Sequence, residues 1–175
     1  MKRNLLISLV LVGLIVVSRL VPHIWNVAPV AAAALLAGAI LPRKWALVVP
    51  LLGMLVSDFI IGFYHLPVIL TVYACFALMA LGGRFIKLNN PLYWLSGSLA
   101  SSTLFFLATN FAVWATADWY PKTLEGLTLS YTLAIPFFRN TMLGDLFFTG
   151  ALFGMWGLVR LIARNFQSSL VVSQT

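Results

Sequence analysis

Acidic residues are almost missing from this chain: four Asp and Glu stand against eleven Lys and Arg in 175 residues, and charged residues of both signs make up only 9%. A soluble domain carries roughly 25% charged residues, with its apolar runs broken every few positions. The scarcity of charge therefore excludes a water-soluble globular chain. Cysteine is nearly absent too. Cys75 stands alone, so there is no internal disulfide, and cysteine usage is silent on redox compartment. A lone cysteine also argues against a dedicated ion site, which needs several ligands. No phosphate-cradling glycine loop is present, so any coupling to ATP has to come from a partner. Long linkers, low-complexity tracts and convincing internal repeats are lacking as well, and residues 1–175 read as a single domain.

What the chain has in abundance is apolar sequence. Hydrophobic residues make up 62% of it, in stretches long enough to cross about 30 Å of hydrocarbon. These properties describe an integral membrane protein whose first partner is lipid. A net charge of +7 would suggest nucleic acid in a soluble chain. Here the basic residues stand singly or in pairs beside apolar segments, as membrane anchors do, and nucleic acid is set aside.

Punctuation by Pro, Asn, aromatic and basic residues predicts six helical segments, at about 4–21, 26–41, 43–63, 66–87, 91–117 and 140–163. The second is short for a full span. Lys2, Arg3, Arg43, Lys44, Arg84, Lys87, Arg160 and Arg164 all fall at one side of this arrangement. The opposite turns mix Arg19, His23, His65, Asp118, Lys122 and Glu125. By the positive-inside rule both termini are cytoplasmic, which requires an even number of spans. The expected fold class is an all-α, six-helix transmembrane bundle. Met1-Lys2-Arg3 before an apolar run also fits a cleaved leader, but removing the first helix would upset a charge alternation that works at every turn. Residues 118–139, interrupted by Pro121 and Pro136, are expected to lie across the outer face, as an interfacial helix or a lid.

The polar residues at membrane depth gather in the outer half: Asp58, Asn110, Arg139, Asn140 and Asp145. A charge at depth costs about 2.5–3.5 kcal/mol on insertion scales and normally faces a partner, the bundle interior or water. Asp58 and Asp145 need partners, and Arg139 is the expected partner of one of them. The set reads either as a clamp between helix ends or as the polar wall of a cavity. His65 reads as a solvated interfacial histidine. His23 lies in Pro22-His23-Ile24-Trp25-Asn26, where a rigid turn gathers imidazole, indole and amide. Cys75 falls near mid-membrane, some ten residues into the fourth segment. It reads as a small hydrophobe, or as a soft thiolate ligand to a metal already held in a macrocycle, which needs only one or two axial ligands. Ser96-Gly97-Ser98 lies in the inner half, far from both histidines, so a Ser/His protease is not supported.

Several blocks together resemble one family. They are Pro22 to Asn26 with Ala28-Pro29-Val30, Ser57-Asp58 with Gly62-Phe63, Tyr73 to Leu78, Thr109 to Trp114, and Ala134 to Asn140 with Gly144-Asp145. The chain resembles the BtuM family of small cobalamin transporters, related to the substrate-binding S-components of energy-coupling-factor (ECF) transporters, over about residues 19–154. The resemblance implies a six-helix S-component-like bundle in a bacterial inner membrane, with a cavity open to the periplasm. It implies cobalamin (vitamin B12) as transported substrate, bound base-off, with Cys75 as axial ligand to the corrin cobalt and thiolate-assisted loss of cyanide from cyanocobalamin. The candidate cavity wall is Trp25, Asn26, Asp58, Tyr73, Asn110, Trp114, Arg139 and Asn140, with His23 above or beside the ring. The first helix lacks the small-xxx-small pattern by which many S-components dock on their coupling module, which favours a solitary transporter. Two other readings stand beside this one: an S-component-like transporter for another vitamin or small metabolite, and a non-transporting membrane scaffold.

Overall fold

The structure, a computed structural model, describes residues 2–22 and 26–172, with side chains described as far as residue 166. Among the described residues six α-helices follow one another: α1 (Lys2–Leu20), α2 (Val30–Ile40), α3 (Arg43–Ile61), α4 (Leu66–Gly82), α5 (Pro91–Thr116) and α6 (Leu124–Val172). A 3-10 turn, Gly83–Phe85, extends α4, and no strand occurs among the described residues. All of the helices except α2 are long and apolar enough to cross a membrane. The chain is a multi-pass membrane protein.

Short punctuated connections set the helix ends. Gly62, with φ of 109°, closes α3 in a conformation that disfavours side chains, and its N–H donates to the Asp58 carbonyl at 2.8 Å. Only Gly62 to His65 separate α3 from α4, and only Leu41-Pro42 separate α2 from α3. Connections this short make neighbours antiparallel. The Asn90 side chain caps α5, accepting from the Leu92 N–H at 3.0 Å, with Pro91 in the first position where a missing N–H is harmless. The basic ends of the helices, marked by Lys2, Arg43, Arg84 and Lys87, therefore gather at one end of the bundle.

The core is built around the shortest helix. Residues Val30 to Gly38 of α2 are all buried, and α2 touches every other helix. Its alanines let neighbouring backbones come close. A Cβ on Gly38 would sit 2.0 Å from the Ala80 carbonyl oxygen, and one on Gly83 would sit 2.2 Å from that of Leu35. The outer faces are apolar instead: Leu5, Leu6, Leu9 and Val10 of α1 and Phe59 and Ile60 of α3 are exposed, as lipid-facing residues must be.

Two expectations are corrected. The second segment begins at Val30 rather than 26, because Asn26 turns the chain with φ of 63°, a left-handed conformation that Asn tolerates. Residues 124–139 do not form a separate element: α6 is one helix of 49 residues with Pro136 inside it. Proline there removes a single backbone bond, which a transmembrane helix tolerates. The preceding turn is tied down by the Trp114 indole, which donates to the Pro121 carbonyl at 3.0 Å, and by Gly126, where a Cβ would collide with that same carbonyl.

Candidate functional site

Near the end of the bundle opposite the basic one, α1 and α3 run side by side, close enough that a Cβ on Gly53 would meet Ile15. This brings Arg19, one residue from the end of α1, against Asp58, three residues from the end of α3. The Arg19 guanidinium forms an ion pair with Asp58 Oδ1 and also reaches Met54 Sδ. Tyr73 Oη of α4 donates to Asp58 Oδ2 at 2.9 Å. Asp58 is 1% exposed, so both oxygens are satisfied inside the protein. The expected partner was Arg139, and this is a correction. Arg139 is exposed on α6, which packs on α5 and α2 rather than on α3. Arg19–Asp58 is the only ion pair among the described residues.

A second buried carboxyl lies on the other side of the bundle. Asp145 of α6 is 5% exposed, and its Oδ2 lies 2.6 Å from Ser102 Oγ of α5. Among the described residues no cation pairs with it. The same Ser102 hydroxyl lies 3.1 Å from the Ser98 carbonyl oxygen.

Between the two carboxyls opens a cavity of about 320 Å³. Arg19, Met54 and Tyr64 form one side of it, Thr141 and Asp145 the other, and Val72, Phe76 and Met79 of α4 line it at the spacing of one helix face. Asn26, Ala28, Val30 and Ala31 line it where the chain enters α2. Among the described residues no side chain caps the α2 N-terminus, so its first N–H groups and the positive end of its dipole add to the polar groups of the lining. Tyr64, in the connection between α3 and α4, has its phenol pKa raised by burial and then by the Asp58 carboxylate, with Arg19 acting the other way. It stays a neutral hydrogen-bonding group at the rim. A smaller cavity of about 190 Å³ adjoins the first. Both are lined by Asn26, Phe105 and Thr141, and the smaller one adds Asn110 and Phe138.

The residues singled out from sequence divide accordingly. Asn26 faces both cavities and Asn110 the smaller, while Asp58 and Tyr73 stand behind Arg19 and hold it in place. Trp114 is engaged in the α5–α6 turn, and Arg139 and Asn140 line neither cavity. Cys75 is 2% exposed and packs in the apolar core. It lies within the stripe Val72, Phe76 and Met79, three residues after the first and four before the last, but is not itself part of the lining. His23 and Trp25 lie outside the described residues. His65 is exposed, with Nδ1 3.5 Å from the Thr116 hydroxyl.

Sequence reading missed Arg19, Ser102 and Thr141. Arg19 carried a usable signal, being a lone basic residue at the non-basic end and still inside an apolar helix. Ser102 carried none, because a serine in a transmembrane helix ordinarily bonds its own backbone. Among the described residues, no three His, Cys, Asp or Glu side chains come together as a metal site. No curated protein and no solved structure matches this chain significantly. The profile of the family of unknown function DUF6580 matches residues 1–169, and the chain belongs to that family.

Proposed function

We propose that the protein is a solitary, S-component-like transporter that takes cobalamin from the periplasmic side into the cavity between α1, α3, α4, α5 and α6. The observation that carries the reading is convergence. Blocks far apart in the sequence, which resemble the BtuM family, supply Asn26, Ala28 and Val30, then Phe76, then Asp145 to one cavity, and Asn110 and Phe138 to its neighbour. A corrin has a broad apolar face and an amide-edged rim. An aromatic and methionine lining with Asn26, Thr141, Arg19 and Tyr64 around it offers matching chemistry. The basic end of the bundle is cytoplasmic in this reading, so both termini lie inside and the cavity lies toward the periplasm.

Cys75 is the proposed axial ligand. It shares the face of α4 that carries the lining residues Val72, Phe76 and Met79, and is itself buried in the apolar core. A cobalt(III) centre stabilises a thiolate at that depth, since metal ligation deprotonates a coordinating thiol. Sulfur ligation should shift the visible spectrum of bound cobalamin away from that of the free vitamin, with slow loss of cyanide following binding of cyanocobalamin. In Cys75→Ser a hard hydroxyl replaces a soft sulfur, so the shift should vanish and affinity should fall at least tenfold. An unshifted spectrum in the wild type, or a serine variant that binds and transports equally well, would sink the ligand role.

A second reading rests on volume. The larger cavity lies near the lower end of the roughly 300–1,000 Å³ usual for ligand pockets, and a whole corrin needs more. An S-component-like transporter for a smaller vitamin or metabolite fits without rearrangement, with Cys75 as packing. Purified protein that stays colourless after incubation with cobalamin, yet gains thermal stability with a smaller solute, would decide for it.

A further inference from the structure

The Asp58 carboxylate has a cation; Asp145, nearly as deeply buried, has a hydroxyl. That hydroxyl carries one hydrogen and lies within bonding distance of two acceptors, Asp145 Oδ2 at 2.6 Å and the Ser98 carbonyl at 3.1 Å. Two arrangements of hydrogens fit these heavy atoms. With Asp145 ionised, Ser102 donates to the carboxylate and a full negative charge stays buried with one hydrogen bond. With Asp145 protonated, Oδ2–H donates to Ser102 Oγ and the Ser102 hydroxyl turns to the Ser98 carbonyl, leaving a continuous chain and no buried charge. One proton taken up from water converts the first arrangement to the second, and nothing else is gained or lost.

The surroundings favour the neutral arrangement and leave room for the switch. The helices packed on α6 are α5 and α2. The only titratable side chain of α5 is Tyr93, at its far end, and α2 has none. Across the cavity stand Arg19 and Tyr64, with Asp58 and Tyr73 behind Arg19 and engaged with it. On α4 Cys75 lies in the core, and on α6 itself Arg139 is exposed six residues away. One turn further toward the basic end, on the faces of α5 and α6 that carry Ser102 and Asp145, come Ser98 and Thr149. Both are 0% exposed, and neither hydroxyl has a partner among the described residues. Two fully buried, unsatisfied hydroxyls each cost free energy unless they serve a guest, and a water or a relayed proton is a guest of the right size.

We infer that Asp145, Ser102, Ser98 and Thr149 form a proton-binding site at the cavity wall, in which Asp145 takes up and releases one proton as the cavity changes its occupant. Because Asp145 lines the cavity, any ligand that prefers one protonation state must shift the proton affinity by the same factor as the proton shifts its own. This holds whichever solute the cavity takes.

The test is infrared spectroscopy of the full-length protein in nanodiscs, titrated from acid to alkaline pH. The expected result is a protonated-carboxyl C=O band at neutral pH that is lost in alkali, absent in Asp145→Asn, and moved to higher frequency in Ser102→Ala, where the carboxyl has lost its hydrogen-bond acceptor. If Asp145→Asn does not fold, the Ser102→Ala shift alone carries the assignment. Absence of the band in the wild type at neutral pH, or a band that neither variant alters, overturns the inference. So does a band removed by sodium chloride but not by choline chloride at constant pH, which would make the site a sodium carboxylate.

Discussion

Asp58 and Asp145 present the same side chain at almost the same burial, 1% and 5% exposed, in the same protein, and they are handled in opposite ways. Asp58 is fixed by a guanidinium and a phenol from two other helices, so that α1, α3 and α4 meet at one carboxylate. Among the described residues Asp145 bonds one hydroxyl, one turn from hydroxyls that have no partner. The first arrangement is a clamp in which each carboxylate oxygen has a fixed partner. The second keeps capacity in reserve. A carboxylate that only holds helices together needs the former, and one that changes state needs the latter.

The contrast breaks most readily at Arg19. Arg19→Ala leaves a buried carboxylate without its cation, and should lower stability by about 3–5 kcal/mol. Thermal unfolding in detergent, followed by tryptophan fluorescence, would register this as a large fall in Tm. The double variant Arg19→Met with Asp58→Leu removes the charge with its partner and should recover most of the loss; equal or additive loss would mean the pair is not the unit it looks to be.

A smaller effect is expected from Tyr73→Phe, which deletes one hydrogen bond to a charged acceptor and nothing else, at a cost of about 1.5–3 kcal/mol. The same unfolding assay applies. No change in Tm would show that the ion pair alone suffices and that α4 is held by packing.

The smallest effect belongs to the other carboxyl. Asp145→Asn replaces a neutral acid by a neutral amide of the same shape, so stability at neutral pH should move by no more than about 1 kcal/mol. A loss as large as that of Arg19→Ala would mean that Asp145 is ionised and paired in the folded protein, and the contrast between the two sites would be gone.

How far such a site can be read in advance depends on range. Helices α1, α3, α4 and α5 follow from hydropathy and from Pro, Gly and basic residues at their ends, because both signals are local. The central place of α2 is also legible in its alanine run, since residues with nothing to offer lipid are useful only where backbones touch. Continuation of α6 through Pro136 is not legible: a proline that breaks a helix in water is tolerated where the surroundings offer the freed carbonyl no better alternative. The partner of Asp58 was unreadable for another reason. Arg19 and Arg139 are equivalent by depth, and only the packing of α1 on α3 chooses between them. Ser102 and Asp145 are 43 residues apart, and nothing in either neighbourhood announces the other.

The brevity of α2 has a consequence for how this protein can change over time. A helix of 11 residues extends about 16 Å, roughly half the hydrocarbon thickness, and its first residues border the cavity. Pocket depth is thus governed by a count of residues rather than by their identities. One added turn at the start of α2 would lengthen it by about 5 Å at the cavity, and one removed would shorten it by as much. Relatives that accommodate solutes of different size on this scaffold should differ first in the length of the stretch around residues 22–30, and only afterwards in the side chains that line the space.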